Sequence, residues 1–391
     1  MSFQFRETPL IMVVYGTRPE GIKVAPVIRA LEEDSRFNVM TVITGQHQQM
    51  LDEVDELFGI EPDIDLSVFE AGQSLNHLAA KIVSRIDGIL AELTPDALLV
   101  QGDTTSVLMA AIAAFNRQIP VVHLEAGLRS GGLDSPFPEE GNRRLVSQIA
   151  RLHRAPTARS RENLIAEGVD PAWIAVTGNT VVDALEMMID GAGPWANPVA
   201  EQLVESGMTL VTVTSHRREN WGRPLRRIGR AIRRVADERP EVHFVLPLHA
   251  NPIVRNTLEK LLGGASNVSI LPPLDYVDFL RLVEGSAVVV SDSGGVQEEA
   301  PSLRTPVLIL RESTERPEAV ESGWGTIVGT GEDAVYAALS EALDVMDETS
   351  AARMSSNPFG DGFAARRCVN AIADLTLVGV RDADFVPGEA K

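Results

Sequence analysis

Three carboxylates that follow apolar runs have the clearest capacity for proton transfer in this sequence. They are Asp103 in Gln101-Gly-Asp-Thr-Thr, Glu125 in His123-Leu-Glu-Ala-Gly-Leu-Arg and Glu139 in Pro136-Phe-Pro-Glu-Glu. Residues just beyond parallel strands line the ligand crevice of open α/β sheets, so carboxylates there suit acid–base chemistry on a bound substrate. Asp103 could equally cap a helix beginning at Thr104. Glu125 demands more, because an unpaired charge at the end of a buried strand is costly without a partner or a ligand. Arg129 or Arg143 could supply a purely structural partner.

Further turns suit an anion. Gly16-Thr-Arg-Pro-Glu-Gly-Ile-Lys23 runs from a strand into a helix, where free backbone N–H groups, Arg18 and Lys23 would favour phosphate. It is neither a dinucleotide fingerprint nor a P-loop, so a plain strand-to-helix turn is the alternative. In the second half, Ser291-Asp-Ser-Gly-Gly-Val-Gln-Glu-Glu299 offers a hydroxyl at Ser293, close backbone approach at Gly294 and Gly295, and an acceptor for ribose hydroxyls at Glu299. Thr214-Ser-His-Arg-Arg-Glu-Asn220 places His216 beside Arg217 and Arg218, a set suited to a pyrophosphate and its leaving oxygen. The other histidines fall at no metal-ligand spacing, so zinc is not expected.

These residues need strands to position them. Short β-branched runs alternate with amphipathic stretches, the pattern of parallel sheets covered by helices on both faces. Strands are expected at 10–15, 39–44, 97–101, 121–124 and 174–177, with helices at 22–33, 75–93 and 105–115. The second half repeats the alternation at 210–214, 243–248, 268–271, 287–290 and 307–310. The turn-rich run from Gly191 to Pro198 marks a junction. We therefore expect an N-terminal Rossmann-like domain over 1–190 and a C-terminal one over 191–361, with a final helix within 362–391 that joins the first if the chain crosses back, an assignment composition alone leaves open. A diphosphate held in a cleft faced by both domains would use both anion turns.

Composition excludes several classes. The 391 residues exceed what one core usually serves, and 35 Lys+Arg against 55 Asp+Glu give a net charge of −20. That charge opposes sequence-independent binding to nucleic acid or anionic membranes. A single cysteine, Cys368, cannot form an intrachain disulfide or a cysteine cluster. With no leader pattern and no apolar run long enough to span a bilayer, the expectation is a cytoplasmic protein.

Eight motifs together resemble one family, the bacterial non-hydrolysing UDP-N-acetylglucosamine 2-epimerases. They are Gly16-Thr-Arg-Pro-Glu, Gly102-Asp-Thr-Thr, Glu125-Ala-Gly-Leu-Arg, Ser135-Pro-Phe-Pro-Glu-Glu, Thr177-Gly-Asn-Thr-Val-Val-Asp, His216-Arg-Arg-Glu-Asn, Asp292-Ser-Gly-Gly-Val-Gln-Glu-Glu-Ala-Pro-Ser and Thr314-Glu-Arg-Pro-Glu. Each is weak alone; in order across nearly the whole chain they are specific. The resemblance implies two Rossmann-like domains in the glycosyltransferase-B arrangement, a homodimer through the first, and neither nicotinamide nor metal. It implies catalytic roles for Asp103, Glu125, Glu139 and His216. Nucleotide contacts are implied for Arg18, Lys23, Ser293, Gly294, Gly295 and Glu299, with Phe279 near the uracil and Leu274 in the loop that reads its edge.

The implied chemistry is physically sensible. The sugar C2 proton is not acidic, but anti elimination of UDP with loss of that proton gives a 2-acetamidoglucal. Re-addition with protonation on the other face gives the manno isomer, and each positioned acid or base contributes roughly 10²–10⁴-fold. Alternatives are a hydrolysing relative that releases N-acetylmannosamine and UDP, a glycosyltransferase on the same fold, and a silent UDP-sugar binder. The binder would have no use for Glu125 and Glu139 near a negative ligand. Many family members are activated by a second substrate molecule, and Gln46, His47, Gln49, Gln73, Arg217 and His249 match positions linked to that site. The family's arginine before the matched glutamine is Gly72 here, which implies weakened activation.

Overall fold

The computed structural model of the protein describes residues 5–45, 48–70, 72–134, 136–248, 251–345 and 356–389, with 48–50, 52, 53 and 190 described as backbone alone. The chain divides into two compact units, residues 1–188 with 359–389 and residues 189–358. Among the described residues no helix is long and apolar enough to cross a membrane.

The first unit is built on seven parallel strands. They are β1 (Leu10–Tyr15), β2 (Asn38–Ile43), β3 (Ile64–Asp65), β4 (Ala97–Gln101), β5 (Val121–Leu124), β6 (Leu152–Ala155) and β7 (Ile174–Val176), in the order β3-β2-β1-β4-β5-β6-β7. Chain order reverses between β1 and β4, and such a switch point opens a crevice at the C-terminal strand ends. Both sheet faces are covered, so β1 and β4 read as continuous apolar runs, buried almost throughout. Helix Leu75–Leu93 turns Leu78, Ile82, Ile86 and Leu90 toward Met12, Val14, Leu98 and Val100. That four-residue spacing lines one helix face, and each such side chain contributes roughly 1.5–3 kcal/mol.

The second unit has six parallel strands: β8 (Thr209–Thr214), β9 (Val242–Pro247), β10 (Val268–Leu271), β11 (Ser286–Ser291), β12 (Val307–Ile309) and β13 (Gly325–Ile327). Their order is β10-β9-β8-β11-β12-β13. The reversal lies between β8 and β11. Helix Arg223–Glu238 covers this sheet with Leu225, Ile228, Ile232 and Val235 against Val211, Val213 and Phe244. Three of its arginines turn outward into ion pairs, Arg230 with Glu332, Arg233 with Asp237 and Arg234 with Glu238.

Several element bounds depart from the sequence expectation. Helix Arg18–Glu32 begins four residues before 22, because Pro19 fits a first turn where no intrahelical N–H is needed. Strands β3, β6 and β13 were not expected: two are very short, and β6 carries the buried polar residues His153 and Arg154. Helix Ala364–Leu375 packs against helix Arg18–Glu32 of the first unit. Asp183 fixes its start by accepting from the amides of Ala364 and Ala365 at 3.2 and 2.8 Å. Beyond it, the Phe385 amide donates to Val176 on β7 at 2.7 Å.

Candidate active site

At the switch point of the first unit, the turn after β1 meets the turn after β4. Gly16 is required there because a Cβ would lie 2.8 Å from the Ser106 hydroxyl. The amides of Gly16 and Thr17 do not wait for a phosphate, as the sequence suggests. Both donate to one oxygen of Glu20, at 2.6 and 3.0 Å, while the Thr104 hydroxyl donates to the other at 2.5 Å. Glu20 thus closes the helix start as an internal acceptor and ties the turn after β1 to the turn after β4. The signal was present in Thr17-Arg-Pro-Glu20, a capping-box spacing. Arg18 sits half-buried at the head of this helix.

Asp103 does not cap the following helix. Helix Thr105–Asn116 takes its cap from Thr104, whose hydroxyl accepts from the Val107 amide at 3.4 Å. Asp103 instead accepts from the guanidinium of Arg143 at 2.7 Å, and its carbonyl accepts from Asn142. Beside it the Gly102 carbonyl accepts from Nε2 of the buried His123 at 2.7 Å. Burial pushes that imidazole down to about 4, so it is a neutral donor.

Glu125, the first residue after β5, lies in the left-handed region, at φ 63°. Its carboxylate is held by Lys23, whose ammonium donates to one oxygen, and by Gln101, which donates to the other. Arg129 turns to Glu167, and Arg143 to Asp103 and Glu140. Asn179, from the Thr177-Gly-Asn motif, approaches Glu125 at 3.5 Å, and a Cβ on Gly102 would lie 3.9 Å from it. Lys23, Glu125, Gln101, Asn179 and the Asp103 turn therefore gather at one strand edge. In the pair Glu139-Glu140 the second residue is structural: buried Glu140 holds the Ser130 amide, Arg143 and Arg144. Burial pushes its carboxyl up, but those donors outweigh it and leave it below the usual range. Glu139, half-buried in the first turn of helix Glu139–Ile149, has no ion pair among the described residues.

Glu20 makes a pH prediction. Burial pushes its carboxyl up to about 7, with the donors from Thr104, Gly16 and Thr17 opposing. A folded-state pKa above the unfolded one stabilises fully below the unfolded value and is lost as pH rises through about 7. Glutamine imitates the protonated acid. Urea unfolding should therefore show Glu20→Gln gaining on the parent by about 3 kcal/mol between pH 4.5 and 8. A difference that does not change with pH contradicts this.

At the switch point of the second unit, Asp292 follows β11 and gathers the turn after β8. Its carboxylate accepts from the Ser215 hydroxyl, the amides of His216 and Arg217, and the Asn220 amide group. His216 Nδ1 lies 3.1 Å from it. Ser293 precedes the short helix Gly294–Glu299 without capping it by its side chain. The space beside Gly294 is filled from within, since a Cβ there would lie 2.7 Å from Arg316 Nη1. Arg316 in turn pairs with Glu298 at 2.6 Å and Glu315 at 2.7 Å. Glu315 also meets Arg311 and Arg217. Burial pushes the Glu315 carboxyl up, but Arg316, Arg311 and Arg217 bring it down to about 2. Glu299 accepts from the Tyr276 hydroxyl at 2.6 Å. Phe279, on helix Tyr276–Glu284, and Leu274, in the loop before it, are half-buried in the same unit.

The residues matched to an activating site are less gathered. Gln46, His47, His249 and the side chain of Gln49 lie outside the described residues. Gln73 donates to the Val68 carbonyl at 3.3 Å, and Arg217 is tied to Glu219 and Glu315. Gly72 adopts φ 78° beside open space.

A family model described as UDP-N-acetylglucosamine 2-epimerase matches residues 29–373. The UDP-N-acetylglucosamine 2-epimerase of Bacillus subtilis (strain 168) is 44% identical over 360 residues, covering 92% of this chain and 93% of that protein. Among solved structures, UDP-GlcNAc 2-epimerase from Neisseria meningitidis bound to UDP-GlcNAc is 39% identical with a TM-score of 0.85, covering 93% of this chain and all of that one. The Methanocaldococcus jannaschii UDP-GlcNAc 2-epimerase in complex with UDP-GlcNAc and UDP is 31% identical with a TM-score of 0.77, covering 93% of this chain and 99% of that one.

Proposed function

We propose, from the premise that this chain belongs to the UDP-N-acetylglucosamine 2-epimerase family, that it interconverts UDP-N-acetylglucosamine and UDP-N-acetylmannosamine without releasing free sugar. The route is anti elimination of UDP with loss of the C2 proton, then re-addition after protonation on the opposite face. Two faces require at least two proton-handling groups, and Asp103, Glu125 and Glu139 provide them. The turn that carries His216 and Arg217, with the hydroxyl and backbone amides around Ser293, Gly294 and Gly295, takes the charge that develops on the leaving diphosphate. Arg18 and Lys23 add cations, Glu299 takes ribose hydroxyls, and Phe279 with the Leu274 loop takes the uracil.

The observation that carries this reading is the placing of Glu125. A non-glycine residue in the left-handed region costs on the order of 1–3 kcal/mol, and such strain concentrates where a side chain must be aimed. Here the strained residue carries a carboxylate fixed by Lys23 and Gln101 beside the Asp103 turn. Products formed from UDP-N-acetylglucosamine test the reading. Chromatography should find UDP-N-acetylmannosamine approaching a constant ratio with its precursor. Accumulation of free N-acetylmannosamine with UDP would make the chain a hydrolysing enzyme instead.

A further inference from the structure

We propose that Asp292 is a positioning residue for this reaction, orienting the His216 imidazole and the two amides after β8 before substrate arrives. The inference rests on the reading that His216 attends the leaving diphosphate. The sheet register brings the partners together. Thr214 on β8 stands opposite Ser291 on β11, and their hydroxyls bond at 2.7 Å. The next residue of each strand, Ser215 and Asp292, must then meet across the switch point, and they bond at 2.8 Å.

Asp292 is fully buried, and a bare carboxylate in such a place would be costly. Its two oxygens can accept about four hydrogen bonds, and with Ser215 the turn brings five donor groups to them. The amides of His216 and Arg217 donate at 3.1 and 3.2 Å, Asn220 at 2.9 Å, and His216 Nδ1 stands at 3.1 Å. Burial alone would push the carboxyl up, yet His216, Ser215 and Asn220 bring it down to about 2, so it remains an anion at any working pH.

The consequence concerns the second ring nitrogen. With Nδ1 committed to Asp292, the half-exposed imidazole has its Nε2 left for a ligand, and the tautomer is set by the bond at Nδ1. The same carboxylate fixes the His216 and Arg217 amides and so the course of the chain into Arg217, whose guanidinium is tied to Glu315. A side chain that reaches the reaction only through its neighbours fits the buried position of Asp292, since the diphosphate would meet His216 first.

A double-mutant cycle on turnover of UDP-N-acetylglucosamine separates this role from simple support of the fold. Asp292→Asn should lower kcat/KM about tenfold or more in the parent, but by a factor at least about threefold smaller in a His216→Ala background, because the imidazole it orients is gone while the two backbone amides remain. Equal losses in both backgrounds overturn the proposal. Should Asp292→Asn fail to fold, Ser215→Ala removes one donor to the carboxylate and enters the same cycle, with the same coupling to His216 expected. A parent that turns over no UDP-N-acetylglucosamine would instead sink the functional reading beneath it.

Discussion

Glu125→Gln should lower exchange of the C2 proton by about 10²–10⁴-fold while UDP affinity stays near that of the parent. Glutamine preserves the shape and the hydrogen bond from Gln101 or Lys23, but it cannot take or return a proton at working pH. A purely structural carboxylate would behave differently. Losing the Lys23 pair would then lower stability, and activity per folded molecule would persist. Calorimetric titration with UDP beside an exchange assay distinguishes the two, and turnover equal to the parent would remove Glu125 from the acid–base set.

Arg316→Leu carries the largest expected effect on stability. The substitution takes the guanidinium from Glu298 and Glu315, whose side chains are 1% and 6% exposed. Removing one partner of a buried ion pair costs about 3–5 kcal/mol, because the remaining charge is left in a poor solvent. For a unit of this size that corresponds to a melting point lower by on the order of 10 °C. Arg230→Ala is the comparison, since its pair with Glu332 is exposed at both ends and is worth at most about 1 kcal/mol. UDP binding should weaken with Arg316→Leu as well, because the same guanidinium packs on Gly294. Melting curves that shift alike for both variants would contradict this account of the charge network.

What could be read from the sequence follows from what each residue type reveals alone. The strands at 10–15, 97–101 and 121–124 are mostly apolar runs bounded by turn residues, and burial on both faces makes them visible without any knowledge of neighbours. β6 was hidden because Leu152-His-Arg-Ala carries polar side chains into the interior, against the usual composition of a strand. Domain limits were blurred for a similar reason. Turn-rich composition runs from Gly191 to Pro198, whereas the contacts change hands between Met188 and Ile189, at the end of a helix that periodicity alone would continue.

The candidate site was legible as types and illegible as pairs. Nothing in the sequence says that Lys23 would meet Glu125, 102 positions away, or that Arg143 would choose Asp103. Glu20 and Asp292 are the sharper lesson. Both lie inside motifs that stand out by spacing, and both are buried carboxylates bridging a switch point, one in each unit. The capping-box half of Glu20's role is local, but its bond from Thr104 and all the donors to Asp292 come from the other side of the reversal and appear only once the strand order is known. Glycines mislead in the opposite sense. Gly294 suggests room for a ligand, yet the atom nearest its missing side chain belongs to Arg316.

The most direct test is to incubate the enzyme with UDP-N-acetylglucosamine in deuterium oxide and follow C2 by NMR. Loss of the C2 proton signal as UDP-N-acetylmannosamine appears, with deuterium in both nucleotide sugars at equilibrium, is the predicted result. Conversion with the original hydrogen retained at C2, or no conversion at all, would contradict it.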